Sequence, residues 1–148
     1  MAFAKLAEAF AEDSIRVLAA ALDREHAVEL AGDLLVSSGR VTPEYTTQMI
    51  DVFETHGPYF VIAPGIAIAH AKPSDAVIST GLSLVTLAEP VVFGNAANDP
   101  VRLVIGMSAQ DHDSHLEMLA ELAALLGDAD AVNFLLNAGD TEQIRELF

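Results

Sequence analysis

Short apolar runs, broken by Pro, Gly and polar residues, fill the middle of the sequence and constrain the fold more than any other feature. Each run is too short for a helix that crosses a membrane, and its composition suits a strand of a mostly buried sheet. The runs cover residues 59–63, 66–69, 81–87, 91–93 and 101–107. Together they predict a sheet of about five strands.

Helical periodicity flanks these runs on both sides. Upstream, apolar residues that recur at three and four positions predict a helix over 24–38, and Thr42 followed by Pro43 predicts a second helix that ends before Gly57. The other predicted elements are a short helix at the start, a strand at 14–20 whose Ala-rich end could equally be helical, and helices at 116–126, near 131–137 and from 141 onward. We therefore predict an α/β fold, a three-layer α/β/α sandwich around a mixed sheet, with residues 1–148 as one domain.

The composition narrows the chemistry that this chain can perform. There is no cysteine, which excludes disulfides, thiolate nucleophiles and cysteine metal sites and favours a cytoplasmic protein. The formal charge of −15 opposes binding to nucleic acid and to anionic membranes, and it favours a basic protein partner. No apolar run is long enough to insert into a bilayer, and the start of the chain does not have the pattern of a secretion signal.

His70 is the first candidate for chemistry, because it directly follows a short apolar run that leads into a Pro-closed turn. Ile66, Ile68 and His70 alternate onto one face of the predicted strand. Ligands collect where the strands of a sheet end, and the small neighbours Ala69 and Ala71 leave the ring accessible. A histidine that is satisfied inside the core or at its rim would produce the same pattern, so both interpretations stay open at this point.

His115 is the second candidate, because the apolar periodicity of a long helix begins just after it. Ser114 is a natural N-cap, which would place His115 in the first turn beside free backbone N–H groups and the positive end of the helix dipole. Such a position binds phosphate. His56 and Lys72 are further candidates for contacting a phosphate near His70. A loop or capping role for Ser114 and a surface position for Lys72 are the alternatives.

A metal site is the competing functional interpretation. His112 and His115 lie at i and i+3 and could bind zinc together with His70 and with Asp111 or Asp113. The sequence contains no His-Glu-x-x-His motif, no Gly-x-Ser-x-Gly elbow and no phosphate loop ending in Gly-Lys. Metalloprotease, serine hydrolase and nucleotide-dependent chemistry are therefore not favoured, and no cofactor is expected.

The segment 57–73 resembles the phosphorylation-site region of enzyme IIA domains of the mannitol-fructose superfamily, and within it the ascorbate-type branch. It reads Gly-Pro-Tyr-Phe-Val-Ile-Ala-Pro-Gly-Ile-Ala-Ile-Ala-His-Ala-Lys-Pro, and the likeness continues through 81–84, 92–94, 98–101 and 114–116. The resemblance implies an α/β/α phosphocarrier of a bacterial sugar phosphotransferase system. It implies that His70 accepts a phosphoryl group from the carrier protein HPr and passes it to a cysteine of enzyme IIB. His115 matches the second active-site histidine of the family.

The same resemblance implies further partners and shows two departures from the family. The membrane permease, enzyme IIC, is implied as an indirect partner with ascorbate as the candidate sugar, and a homodimer is left open. Ala69 stands where the family commonly has Pro. No arginine occurs in 51–54, the part of the preceding helix where mannitol-type members carry one. A regulatory enzyme IIA, sensed through its phosphorylation state, is therefore the alternative within the family.

The expected reaction is a transfer between two imidazoles, so His70 must be neutral to offer a lone pair. His115, the backbone N–H groups after Ser114, and Lys72 would stabilise charge on the phosphoryl oxygens. An acidic rim would attract a basic HPr in a salt-dependent manner. An apolar ring would form the dry centre of the partner contact; its predicted members are Ile66, Ile68 and Leu116.

Overall fold

The computed structural model describes residues 3–148, apart from the side chains of residues 4, 5 and 12. The strands are β1 (Phe10–Ala19), β2 (Val61–Ala63), β3 (Ile66–Ala69), β4 (Gly81–Val91) and β5 (Val101–Ser108). The helices are α1 (Ala4–Ala7), α2 (Arg24–Ser37), α3 (Pro43–His56), α4 (His112–Leu126), α5 (Ala129–Asn137) and α6 (Thr141–Arg145).

The five strands form one mixed sheet in the order β1-β4-β5-β3-β2. Strand β1 pairs parallel with β4, and β3 pairs parallel with β5. The β4–β5 and β2–β3 pairs are antiparallel. Strand β3 therefore lies inside the sheet, and its carboxyl end at Ala69 delivers the next residue, His70, to the edge where β5 also ends.

Two buried clusters cover the two faces of the sheet and produce three layers. Helices α2 and α3 pack on one face, where Ala67 and Ala69 of β3 join their cluster. Helices α4, α5 and α6 pack on the other face, where Ile66 and Ile68 join the second cluster. Alternation along β3 places these residues on opposite faces, as the sequence pattern predicted. The predicted three-layer α/β/α fold with a mixed sheet is confirmed.

Gly106 allows helix α2 to lie close to the sheet near the end of β5. A Cβ atom at this position would overlap Ser83 Oγ and would lie 3.2 Å from the backbone oxygen of Ala31 on α2. Ser83 Oγ donates to the same Ala31 oxygen over 2.7 Å. Helix α2 is therefore fixed to the central strands by a close backbone approach that a larger residue would block.

Strand β4 corrects the prediction of separate strands at 81–87 and 91–93. It is one strand that runs to Val91, and Phe93 lies beyond it. Residues 88–90 are exposed, but Val91 still pairs with Val101 after a register shift that begins at Thr86. The long antiparallel pairing with β5 keeps the backbone extended where the sequence becomes polar, which local propensity does not reveal.

Helix α4 corrects the predicted N-cap. The helix begins at His112, and Asp111 is its N-cap, with Oδ1 accepting a hydrogen bond of 2.8 Å from the Ser114 N–H. The prediction that Ser114 caps the helix was wrong, because the Asp111 carboxylate already satisfies the donor three residues ahead. His115 still lies near the helix start, and its N–H donates to the Asp111 backbone oxygen over 3.1 Å.

The remaining boundaries differ from the predictions by a few residues at strand ends. Strand β1 begins earlier than the predicted residue 14, and β2 is limited to three residues. Thr42 occupies the N-cap position of α3 but makes no capping hydrogen bond through its side chain. Among the helices within residues 3–148, none has both the length and the apolar character that a membrane crossing requires.

Candidate functional site

The ring of His70 is oriented by a hydrogen bond to its own strand. His70 is half-buried, and its Nδ1 lies 3.0 Å from the backbone oxygen of Ile68. A carbonyl oxygen only accepts, so this contact places the proton on Nδ1 and leaves the lone pair of the neutral ring on Nε2. The nitrogen that can attack an electrophile is therefore Nε2.

Two aromatic side chains confine the His70 ring. The Phe60 ring centroid lies 5.3 Å from that of His70, and the Tyr59 centroid lies 5.9 Å away in an edge-on arrangement. Phe60 is fully buried, whereas Tyr59 keeps 47% of its surface exposed. The His70 ring is therefore packed on one side and open on the side that faces solvent.

His115 reaches the same place from the other helical layer. Its ring centroid lies 5.3 Å from that of His70, with the two planes inclined by 68°. His112, at the start of the same helix, lies 6.5 Å from His115 with the rings nearly parallel. A strand end and a helix start, more than forty residues apart in sequence, thus bring two imidazoles within the reach of one tetrahedral phosphoryl group.

The space between these rings is a small cleft of about 190 Å³. It is lined by Val52, His56, Tyr59, His70, Ala71, Lys72, Pro73, His112 and His115. Four histidines and one lysine stand in this lining and no acidic side chain does, among the residues that the structure describes. In a chain with a formal charge of −15, the cleft is a local region without negative side chains.

The structure brings most of the predicted phosphate contacts into this cleft, with one exception. His56 and Lys72 both line it and are exposed. Ser114 lies instead on a separate groove beside Glu8 and Thr80, and its N–H is already bound by Asp111. The predicted phosphate donors were the backbone N–H groups after Ser114, and the first of these, on His115, donates to the Asp111 backbone oxygen.

The predicted apolar ring is also corrected. Ile66 and Ile68 are only 2% and 3% exposed and belong to the core between the sheet and α4, so they are not available to a partner. Leu116 is exposed, as predicted, and Tyr59 is the exposed aromatic next to His70. Alternation alone placed the two isoleucines on the face of His70, but the helical layer covers that face up to the strand end.

Five of the nine lining residues were not predicted as phosphate contacts, among them His112, Tyr59 and Val52. His112 was considered only as a metal ligand, and Tyr59 and Val52 were assigned to a strand and to a helix face. The i, i+3 spacing of His112 and His115 was the available signal, because this spacing puts both rings on one side of a helix. Among residues 3–148, no group of three His, Cys, Asp or Glu side chains is close enough to hold a metal ion.

No arginine of α2 or α3 compensates for the arginine that mannitol-type members carry. Arg24 packs its guanidinium 5.3 Å above the Phe53 ring, and its Nη1 donates to the Phe93 backbone oxygen over 3.2 Å. It does not line the cleft in the described part of the chain. Lys72 is the basic side chain other than histidine that lines the cleft, among the residues that the structure describes.

The protonation state of the two central histidines follows from their surroundings. Burial lowers the pKa of His70 below its ordinary value of 6.5, the hydrogen bond to Ile68 opposes this shift, and the charge that His115 can carry adds to it. Burial also lowers the pKa of His115, with a smaller contribution from the charge of His112. Both rings are therefore neutral at neutral pH, as the expected reaction requires.

We expect acidification to leave His70 uncharged at pH values where an ordinary histidine is already half protonated. Because the pKa of His70 is lowered on folding, the unfolded chain takes up this proton first. The contribution of His70 to stability is therefore fully present above pH 6.5 and is lost as the pH falls below this value. An NMR titration of the ring carbons should give a His70 midpoint below 6.5. A midpoint at or above that of an unfolded histidine would contradict the burial argument.

Comparisons with known proteins point to one family. The model for the phosphoenolpyruvate-dependent sugar phosphotransferase system, EIIA 2, matches residues 8–148. The ascorbate-specific PTS system EIIA component of Shigella boydii is 42% identical over 142 residues, which cover 94% of this chain and 91% of the relative.

Two solved structures extend the same comparison to the fold. The mannitol-specific cryptic phosphotransferase enzyme IIA of Escherichia coli superimposes with a TM-score of 0.87 at 34% identity and covers 96% of both chains. The mannitol enzyme IIA of Escherichia coli, solved in complex with phosphorylated mannitol enzyme IIB, superimposes with a TM-score of 0.81 at 29% identity. That match covers 93% of this chain and 95% of the other.

Proposed function

Since the chain belongs to the EIIA 2 family of the phosphoenolpyruvate-dependent sugar phosphotransferase system, we propose that it carries the transferred phosphoryl group on Nε2 of His70. Family membership, which the sequence motifs predicted, is confirmed, and with it the function of a phosphocarrier with phosphotransferase activity. The assignment of individual residues rests on the geometry of the cleft. Residues 1–148 act as a single phosphocarrier domain in this proposal.

One observation supports this assignment above all others. His70 is fixed through Nδ1 to Ile68, so its free Nε2 belongs to a ring that stands 5.3 Å from the ring of His115 across an open cleft. One imidazole is thereby available as a nucleophile, and a second lies where the incoming phosphoryl oxygens would be. This arrangement suits transfer of a group that is already activated, since positioning then supplies most of the catalysis.

The proposed transfer needs no general base. The Nε2 lone pair of His70 attacks the phosphorus of the donor phosphohistidine, the donor's P–N bond breaks, and its electron pair returns to the donor ring. His70 keeps the Nδ1 proton and gains positive ring character, so its hydrogen bond to the Ile68 oxygen becomes charge-assisted and stronger. In the onward step a thiolate sulfur of enzyme IIB attacks the phosphorus, and Nε2 leaves as part of a neutral ring.

Charge on the phosphoryl oxygens is stabilised from the rim of the cleft. His115 is the first candidate donor, because its ring centroid lies 5.3 Å from that of His70, and Lys72 and His56 also line the cleft. Preorganised donors in a partly dry cleft are worth more than the same groups in water, because they are oriented before the reaction. Ser114 is not needed in this scheme, since its N–H is bound to Asp111.

The partners follow from the family and from the names of its relatives. The similar Escherichia coli enzyme IIA forms a complex with phosphorylated enzyme IIB, and the similar Shigella protein is named ascorbate-specific. We propose HPr as the donor, an ascorbate-type enzyme IIB as the acceptor and the permease enzyme IIC as an indirect partner. The cytoplasm, where these soluble transfers take place, is the proposed location.

Reconstitution tests this function directly. Purified protein is incubated with enzyme I, HPr and labelled phosphoenolpyruvate, and label on the protein is expected only when all three are present. Adding an ascorbate-type enzyme IIB should then move the label to the enzyme IIB cysteine. Label that is accepted but never passed on would favour the regulatory alternative, and a protein that stays unlabelled would contradict the proposal.

The acidic surface attracts a basic partner over long distances, and dissolved salt screens this attraction. We therefore expect the second-order rate of phosphoryl acceptance from HPr to fall about tenfold between low and high ionic strength. Asp113 is exposed beside the cleft-lining His112, whereas Asp130 is exposed on α5. Stopped-flow or quench measurements at low salt should show a slower second-order rate for Asp113→Asn and an unchanged rate for Asp130→Asn. A second-order rate that changes neither with ionic strength nor in Asp113→Asn would exclude electrostatic steering.

A further inference from the structure

The hydrogen-bond ladder between β3 and β5 stops just before the functional histidine. Paired residues run from Ile66 with Leu103 to Ala69 with Gly106, and the Leu103 N–H donates to the Gly65 oxygen over 3.0 Å. In a parallel ladder each strand contributes hydrogen bonds at every second residue. This register therefore predicts one further bond beyond the paired residues. It would run from the N–H of Ala71 to the backbone oxygen of Met107.

The hydroxyl of Tyr45 occupies the place of that missing bond. It accepts a hydrogen bond of 3.0 Å from the Ala71 N–H and donates one of 2.7 Å to the Met107 oxygen. The Ala71 oxygen lies at 3.2 Å, but the hydroxyl has a single proton and the Met107 contact is the shorter one. A side chain from α3 is thus inserted between two strands at the residue that follows His70.

The environment of Tyr45 keeps this bridge intact. The side chain has no exposed surface, and burial raises its pKa to about 12. The hydroxyl is therefore protonated at neutral pH and has a proton to donate to the Met107 oxygen. Because the hydroxyl is buried and does not line the cleft, any effect on the reaction must pass through the residues that it binds.

We propose that Tyr45 is a positioning residue that holds the end of the β3–β5 ladder open and thereby sets the position of His70 for phosphoryl transfer. The proposal rests on the function proposed above. His70 is held on one side by the bond from its Nδ1 to Ile68, and on the other side by Ala71, which Tyr45 anchors. Tyr45 itself does not line the cleft.

Removal of the hydroxyl has two structural outcomes, and both disturb His70. If the strands stay apart, the Ala71 N–H and the Met107 oxygen lose their partner in a buried place. If the strands close, the direct bond forms and Ala71 moves toward β5 by about the width of one oxygen atom. A displacement of about 1 Å in a reacting group can reduce a transfer rate by up to a hundredfold.

The test compares Tyr45→Phe with a matched loss of a buried hydroxyl elsewhere. Thr86 is 3% exposed, its Oγ1 accepts a 2.8 Å bond from the Leu18 N–H, and it pairs with Leu103, roughly 13 Å along β5 from Met107. We expect Tyr45→Phe to slow acceptance from phospho-HPr ten- to a hundredfold. Thr86→Val should stay within about twofold of wild type even if it lowers the melting temperature equally.

Nitrogen-15 NMR of the unphosphorylated proteins distinguishes a positioning role of Tyr45 from a general loss of stability, because a general loss of stability would not change the signals of His70. The ring nitrogen shifts of His70 report the Nδ1–H tautomer, and its titration reports burial; both should change in Tyr45→Phe and not in Thr86→Val. Unchanged His70 signals and an unchanged rate in folded Tyr45→Phe would overturn the proposal.

Amide exchange in the wild-type protein tests the bridge without any variant. The Ala71 N–H should exchange as slowly as the amides of β3, although it has no backbone partner. Rapid exchange there would overturn the bridge even if Tyr45→Phe does not fold. Failure of the wild type to accept label would instead contradict the proposed function, while the His70 spectra would still decide whether Tyr45 sets its position.

Discussion

The His70→Gln protein should take up no phosphoryl label from phospho-HPr, while it unfolds within a few degrees of the wild-type melting temperature. Glutamine is close to histidine in length and can still donate a hydrogen bond to the Ile68 oxygen, but its amide nitrogen has no lone pair for attack on phosphorus. Half-burial of His70 at the edge of the core means that the fold does not depend on the ring. Label transfer and thermal unfolding, measured on the same preparation, check both halves of this result.

His56→Gln is the matched control for this substitution. His56 lines the same cleft but is exposed, and its ring contacts Tyr59 at 6.2 Å rather than His70. This variant should still be labelled to completion, at a moderately lower rate. A fully labelled His70→Gln protein would show that another residue is the acceptor, and label that moved to His56 or His115 would identify it.

Replacement of His115 by alanine should slow phosphoryl acceptance about a hundred- to a thousandfold without preventing eventual labelling of His70. The expected size is that of losing one preorganised donor to a developing charge. The ring centroids of His115 and His70 lie 5.3 Å apart, and the hydrogen bond that orients the His70 ring runs to Ile68 and not to His115. The substitution therefore leaves the nucleophile, Nε2 of His70, in place. Single-turnover quench-flow with phospho-HPr measures the rate, and the plateau measures the extent of labelling.

His112→Ala separates this effect from a general loss of imidazole charge. His112 stacks on His115 at 6.5 Å and is exposed, and its charge contributes to the low pKa of His115. The variant should raise the pKa of His115 slightly and change the rate by less than about threefold. If His115→Ala and His112→Ala had equal effects, His115 would have no specific role in stabilising the phosphoryl group.

Much of the fold followed from local pattern. The bounds of β3 were predicted without error, and α2 and α3 were predicted to within one residue at each end. These elements have strong local signals, namely a short apolar run between polar turns, and a helical stripe closed by Gly or opened by Pro. The main errors fell on β4, where pairing with β5 carries the strand through a polar stretch, on the N-cap of α4, where two capping residues compete, and on the bounds of β1 and β2.

Of the proposed site, the sequence indicated the two histidines that the structure brings together and little of their surroundings. His70 and His115 were singled out from their places at a strand end and at a helix start, and the resemblance to the family connected them. Ile66 and Ile68 were misassigned to a surface, because alternation identifies a face and does not say how far a helix covers it. Ser114 was expected to support the phosphate, but Asp111 already binds its N–H.

The sequence by itself indicated most of the helices and strands, the layered fold and the family, because periodicity, capping and motif residues act over a few neighbouring positions. Only the tertiary structure decided how the site is held. The hydroxyl of Tyr45 is 26 residues from Ala71 and 62 from Met107 along the chain, yet it joins both. Such contacts depend on how helices and strands pack in three dimensions, where one inserted oxygen atom can hold two strands apart, and no local pattern of residue types records that distance.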